Sequence, residues 1–257
     1  MKIHNTAIID KNAKIDPDVE IGPYSVIGPN VTLGKGTKIG AHCVIEGHTE
    51  IGKNCQIFSS AVIGSAPQDL KYKGERSFVK IGDHNVIREF VTINPGTGEG
   101  GETVLGNNNE LMAYSHIAHD CKIGSRVIIA NVGTLAGHVE VEDNVVIGGL
   151  AAVHQFVRIG KFSIIGGLTK VIQDILPFSM AVGNPAKLYS INVVGLRRAG
   201  MSEEKRQALK KTLKILSNSE ISTPHAIKSI KETIKPATDE VVYLLNFIKK
   251  AKRGITR

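Results

Sequence analysis

From Ile3 onward, an aliphatic residue recurs every six positions. The series runs through Ile9, Ile15, Ile21, Ile27, Leu33, Ile39, Ile45, Ile51, Ile57 and Ile63. It resumes at Ile81, Ile87 and Ile93, then continues without a gap from Leu105 to Val171. Few folds accept that spacing. A helix places apolar residues every three or four positions, and a half-buried strand every second one. A sustained period of six specifies a solenoid of short strands, in which equivalent side chains stack as ladders inside. The fifth position of each hexad is small or β-branched, as at Ala13, Val19, Ser25, Val31 and Thr37. Glycine often follows the aliphatic position, and is expected to relieve the backbone at the bends. The fold class is therefore an all-β solenoid, a parallel β-helix, over residues 1–186.

Two stretches break the series without changing its phase: SAPQDLKYKGERSFVK, about 65–80, and the glycine-rich NPGTGEGGETV, about 94–104. Long excursions from a rigid scaffold commonly carry function. The first holds Gln68, Asp69, Lys71 and Arg76, and the second is expected to be mobile. After about Pro177 the hexads stop and a helical segment, 187–257, follows. Ser202 reads as an N-cap ahead of Leu209, Leu213 and Leu216, and Pro224 sits just inside a second helix. A third helix is expected to close at Gly254.

Charge divides the same way. Residues 187–257 hold 16 Lys+Arg against 6 Asp+Glu, whereas residues 1–186 hold 16 against 18. A segment at +10 suits a phosphate-bearing ligand or an acidic protein, beside the plainer reading of a solvated helical face. Tryptophan is absent and aromatics are 5%, which fits narrow aliphatic ladders better than a core built on aromatic bulk. Cys43, Cys55 and Cys121 all fall on the small fifth position, so they read as core filler. An odd cysteine count, no secretory leader and no apolar run near the roughly 18 residues of a membrane span point to a cytoplasmic protein.

The chemistry concentrates at HIAHD, 116–120. With three faces per coil, residues 18 apart stack at about 4.8 Å. His119 then lies under Gly137 and Asp120 under His138, while His154 lies over Ala136 and Ala118. Four of the nine histidines gather at one place, none at an inward position. An imidazole, a carboxylate to orient it and a bare glycine N–H outline an acyl-transfer site. No serine or cysteine nucleophile stands beside the base, so direct attack by an acceptor hydroxyl is expected. A zinc site, which needs three or four ligands at about 2.0–2.1 Å, is the competing reading of the same side chains.

The hexads together with PQDLKYKGE, HIAHDC, LAGHV, AVHQF, GGL and INVVGLRRAG, in that order, resemble the acyl-[acyl-carrier-protein]–UDP-N-acetylglucosamine O-acyltransferase family over essentially the whole chain. The resemblance implies a left-handed β-helix with a C-terminal helical domain, assembled as a homotrimer. It implies transfer of a 3-hydroxyacyl group from acyl carrier protein to the 3-hydroxyl of UDP-N-acetylglucosamine, the first step of lipid A synthesis. No cofactor, metal or nucleic acid is implied. His119 would be the general base, Asp120 its orienter and the Gly137 N–H the oxyanion donor. His116, His138 and His154 would shape the site, and Gln68, Asp69 and Lys71 would reach it from an adjacent subunit. Gln155, Asn192 and Arg198 would contact the nucleotide, and Gly167 would leave the acyl groove open. Two positions depart from the family pattern: Val194 replaces a glutamate, and Ala199 stands where a third basic residue is common. They keep open a 3-amino sugar as acceptor. A zinc-dependent carbonic anhydrase on the same scaffold and a non-enzymatic binding protein are the remaining alternatives.

Overall fold

The computed structural model describes residues 2–218 and 220–257. Its main body is a parallel β-helix of three sheets with 11, 9 and 8 strands. Most strands are two residues long and end on the aliphatic position of a hexad. Pairing is parallel between residues 18 apart, as in Lys2↔Glu20 and Ile3↔Ile21. The step becomes 30 at Gln56↔Val86 and 24 at Val86↔Glu110. Both lengthened coils exceed 18 by a multiple of six, which is why the phase survives the interruptions. The excursions are shorter than the sequence suggests. Phe78–Ile81 and Glu102–Leu105 are four-residue strands paired with each other, and Phe78–Ile81 also pairs with His48–Ile51. Irregular chain is confined to 64–77 and 94–101.

The ladders form one continuous core from Val19 to Ala181. Ile45, Ile63, Ile87, Leu111, Ile117, Ile129 and Leu135 are wholly buried, each contributing roughly 1.5–3 kcal/mol against exposure. At the open N-terminal end, with no coil beneath it, Ile3 is 38% exposed. The three cysteines are buried as expected. Burial pushes their thiols upward, Cys121 to about 12, so none is a ready thiolate at neutral pH.

Glycine's role at the corners differs from the expectation. The residues with left-handed φ recur every six positions and are mostly not glycine: Tyr24, His42, Asn54, Asp120, His138 and Phe156 all lie between 53° and 64°. Such angles are costly for side-chain-bearing residues. They persist because each corner is clamped to the next coil, as where His138 N donates to His119 O at 2.9 Å. The glycines that follow the aliphatic position answer a different constraint. A Cβ on Gly22 would stand 2.7 Å from the backbone of Gly40, and one on Gly82 would stand 2.8 Å from Gly106 O. They allow close approach between coils rather than a turn.

Beyond the last regular coil, Ser179–Val182 pairs in parallel with Ile164–Ile165, and Lys187–Ile191 returns antiparallel to it. Four helices follow: α1 (Val193–Arg198), α2 (Glu203–Ser217), α3 (Thr223–Thr233) and α4 (Asp239–Lys249). Ser202 Oγ caps α2 and Pro224 lies in the first turn of α3, as anticipated. The short α1, capped by Asn192, was not foreseen. Their apolar faces meet Leu176, Phe178 and Ile191 in a second core. The last helix ends at Lys249, not at Gly254. Gly254, with left-handed φ (75°), instead leads into a bridge to the solenoid: its carbonyl accepts from Asp174 N at 3.1 Å and Thr256 N donates to Asp174 O at 2.8 Å.

Candidate active site

His119 and Asp120 occupy a corner of the prism just after the strand His116–Ile117. Position 120 carries left-handed φ (58°), a conformation that aspartate tolerates better than most residues. The turn directs both side chains outward and brings them together: His119 Nδ1 lies 2.9 Å from Asp120 Oδ2. That oxygen also accepts from Thr97 N at 3.0 Å and Thr97 Oγ1 at 2.7 Å. Burial alone would raise the Asp120 carboxyl, but the hydrogen bonds from His119 and Thr97 outweigh it and hold it below its ordinary range. An ionised carboxylate can only accept, so Nδ1 presents its proton to Asp120, and in the neutral ring the lone pair is left on Nε2.

Nε2 faces a cleft of about 480 Å³ lined by Gln68, Asp69, Leu70, Lys71, His119, His138, Gln155 and Phe156. Asp69 Oδ2 is 3.9 Å from it. The first excursion therefore reaches His119 within one chain, not from an adjacent subunit. His138 stacks on Phe156 at 4.6 Å, meets the His119 ring edge-on at 5.1 Å, and holds Nε2 3.7 Å from Asp120 Oδ2. Through His138 and Phe156 the cleft joins a hollow of about 670 Å³ that also contains Lys122, Arg158, Lys250, Lys252 and Arg253.

Gly137 lies one coil above His119, and the imidazole rests directly on it. A Cβ there would lie 2.5 Å from His119 Nε2 and still closer to Cε1. Its amide, like those of His119 and Gln155 on the same edge, donates no hydrogen bond among the described residues. At the same turn position on another edge, Lys53 N and Asp83 N donate to Asp83 Oδ1 and Asn107 Oδ1, each at 2.7 Å. The residue above Gly137 is Gln155, and among the described residues no hydrogen bond uses the Gly137 N–H.

The other expected residues are placed variously. His116 is half-buried with Nδ1 2.7 Å from Thr92 Oγ1; burial, and secondarily His119, lower its pKa, so it stays neutral at physiological pH. His154 is exposed, with Nδ1 3.2 Å from Gln155 O. Asn192 engages both ends of its amide internally, Oδ1 accepting from Gly195 N at 3.0 Å and Nδ2 donating to Phe162 O at 2.9 Å, which leaves one N–H and one lone pair. Arg198, exposed in the last turn of α1, and Gly167, on a different edge of the prism, stand outside the His119 cleft. So does Val194, while Ala199 borders a separate hollow with Lys205 and Glu240.

Thr97 and Phe156 were missed by sequence reasoning. The available signals were the single threonine inside NPGTGEGG and an aromatic at the corner position above His138. As for a metal, His119, Asp120 and His138 offer donor atoms within 4.8 Å of one another. However, Asp120 Oδ2 already takes three hydrogen bonds, and its 2.9 Å approach to His119 Nδ1 encloses a proton. The donor set fits an oriented base better than a cation.

A family model described as UDP N-acetylglucosamine O-acyltransferase, domain 2, matches residues 174–256. Models of the bacterial transferase hexapeptide (six repeats) and of the GMPPB C-terminal domain match 102–133 and 3–68. The chain is 54% identical over 257 residues to the acyl-[acyl-carrier-protein]–UDP-N-acetylglucosamine O-acyltransferase of Thermodesulfovibrio yellowstonii, covering 100% of this chain and 99% of that one. Against the enzyme of the same name from Herminiimonas arsenicoxydans it is 50% identical, covering 99% of each. Among solved structures, the UDP-N-acetylglucosamine acyltransferase of Francisella novicida matches with a TM-score of 0.94 at 39% identity, over 99% of this chain and 94% of that one. The Bacteroides fragilis enzyme matches at 0.95 and 41% identity, over 99% of each.

Proposed function

The chain belongs to the acyl-[acyl-carrier-protein]–UDP-N-acetylglucosamine O-acyltransferase family, and we propose that His119, Asp120 and Gly137 carry out its transfer step. The enzyme moves an acyl group from acyl carrier protein to UDP-N-acetylglucosamine. In the finer reading the group is a 3-hydroxyacyl chain and the acceptor is the sugar 3-hydroxyl. The observation that carries the mechanism is the disposition of one ring: Nδ1–H tied to Asp120, Nε2 bare toward the cleft, and the face seated on Gly137. Nε2 takes the hydroxyl proton as the sugar oxygen attacks the thioester carbon. The Gly137 N–H donates to the resulting oxyanion. Collapse breaks the C–S bond, and the imidazolium returns its proton to the departing thiolate. Asp120 stays ionised throughout and stabilises the imidazolium.

Asp69 and Gln68 hold the sugar against His119, with Lys71, His138 and Gln155 bordering the nucleotide. His116, neutral beneath the base, and His154 at the rim complete the wall. Arg198 is offered to the nucleotide in a neighbouring cleft, and Asn192 sets the helix that presents it. Gly167 lies on a different edge from His119, so a groove that uses both must be built by two chains. That other edge bears an apolar ridge of Tyr24, Phe90, Tyr114, Val132, Leu150 and Leu168, each 41–71% exposed. An edge-to-edge contact repeated around a three-fold axis would cover it and form a homotrimer. Light scattering at assay concentration should then give three times 27.6 kDa; an active monomer would remove the shared groove.

The remaining expectations follow the family: left-handed winding, a solenoid unit of 1–186 with a helical unit of 187–257, and a cytoplasmic location. Among the described residues no helix is long and apolar enough to cross a membrane. The basic segment 187–257 suits an acidic carrier protein. Raising salt should raise the KM for the acyl donor because exposed charge pairs are screened. A donor KM indifferent to salt would remove that docking surface.

A further inference from the structure

The segment 94–101 adds six residues to a coil and returns to the same sheet, and the transfer step as described gives it no part. Its glycines are spatially demanding. A side chain on Gly96 would collide with the backbone of Gly101. One on Gly101 would collide with the Thr97 carbonyl and come within 3.1 Å of Asp120 Oδ1. Gly98 and Gly100 have φ of 71° and 75°. The loop is strapped to the other excursion: Gly96 N donates to Phe78 O at 3.3 Å, Phe78 N to Gly101 O at 2.9 Å, and Gly100 N to Arg76 O at 2.8 Å. Asn94 Nδ2 reaches Ser65 O at 3.1 Å. This tight clasp presents one side chain to the site, and both donors of Thr97 meet the oxygen of Asp120 that holds His119.

We propose that Thr97 is a positioning residue for acyl transfer: the clasp 94–101 fixes the Asp120 carboxylate so that its Oδ2 points at His119 Nδ1. The inference rests on His119 as the base. Asp120 sits at a corner of the prism with its side chain 14% exposed, and among the described residues only His119 and Thr97 hydrogen-bond to its carboxylate. His138 Nε2 is 3.7 Å away, beyond a hydrogen bond. Two donors on one oxygen leave a single favourable direction, the one the imidazole takes. They also keep the carboxylate an acceptor, so the ring tautomer cannot invert.

Thr97→Val keeps the side-chain shape and the backbone donor but deletes the hydroxyl. It should lower kcat roughly tenfold, the worth of one charge-assisted hydrogen bond, and leave both KM values within about twofold. Thr97→Ser should restore the rate. The acidic limb of the kcat/KM profile should move upward in Thr97→Val, because a carboxylate relieved of one donor stabilises the imidazolium more strongly. Asp69, His116 and His138, which also face the pair, are the same in every variant. A purely structural role would lower activity without moving that limb. A normal rate in Thr97→Val, a serine variant as slow as the valine one, or an unmoved limb overturns the assignment. His119→Ala separates the two claims: if it is inactive while Thr97→Val is normal, only Thr97's role falls.

Discussion

His119→Ala lowers kcat by about 10²–10⁴-fold, the range for a positioned general base, and leaves the fold intact. The first part follows from the lone pair. No other described side chain presents a ring nitrogen to the same point with its other nitrogen hydrogen-bonded to a carboxylate. His116 is turned to Thr92, and His138 stands one coil above, packed on Phe156. The second part follows from location. The imidazole lies outside the aliphatic ladders, whose inward residue here is Ile117, and the corner is held by backbone bonds such as His138 N to His119 O. Removing the ring opens the cleft and leaves no hole in the core. Chemical denaturation should therefore give an unchanged slope and a midpoint close to that of the parent. Turnover within a few-fold of the parent would remove His119 from the chemistry.

Gly137→Ala is the sharper case because it adds one methyl group and replaces no titrating group. The new Cβ would lie 2.5 Å from His119 Nε2, inside any van der Waals contact. Either the ring swings away from Asp120 or the two coils separate. Separation would break a continuous backbone ladder, so the ring moves. We expect kcat to fall about 10²-fold or more, as a mislaid base would require, with little loss of stability. Gly137 does not have positive φ, so alanine adopts its backbone without strain and narrows the unfolded ensemble, a gain of about 0.4–1 kcal/mol. Gly82→Ala provides the contrast. Its Cβ would meet Asn107 Oδ1 and, at 2.8 Å, Gly106 O; the side chain can turn aside but the backbone cannot, so stability rather than turnover should suffer. An active Gly137→Ala enzyme would show that the ring is not seated as described.

The repeat made the scaffold legible, since a period of six leaves almost no other way to bury the same face. Legibility stopped where neighbours are distant in sequence. The stacking of 119, 137 and 155 could be read from the step of 18. Nothing in the order of residues shows that Thr97 would cross to Asp120, because that contact depends on the excursion's path. The adjacent-subunit origin of Asp69 failed for the same reason: a 12-residue detour folds back over its own prism. The glycine expectation failed at the level of energy. Coil-to-coil hydrogen bonds hold Tyr24, His138 and Phe156 in left-handed geometry, whereas no hydrogen bond makes room for a Cβ against a neighbouring backbone. In the tail, the family pattern brings Asn192 to the nucleotide, and the structure adds that one lone pair and one N–H of its amide hold α1 and Phe162 O. The capping role, which depends on α1 forming, could not be read in one dimension.

Val194 and Ala199 stand outside the His119 cleft. The measurement that most directly tests the central claim is transfer from 3-hydroxyacyl carrier protein to UDP-N-acetylglucosamine, with the product then exposed to mild alkali. An oriented base acting on the sugar hydroxyl predicts one acyl chain per sugar, released by alkali as an ester. No transfer to this sugar, or transfer only to its 3-amino analogue as an alkali-resistant amide, would contradict it.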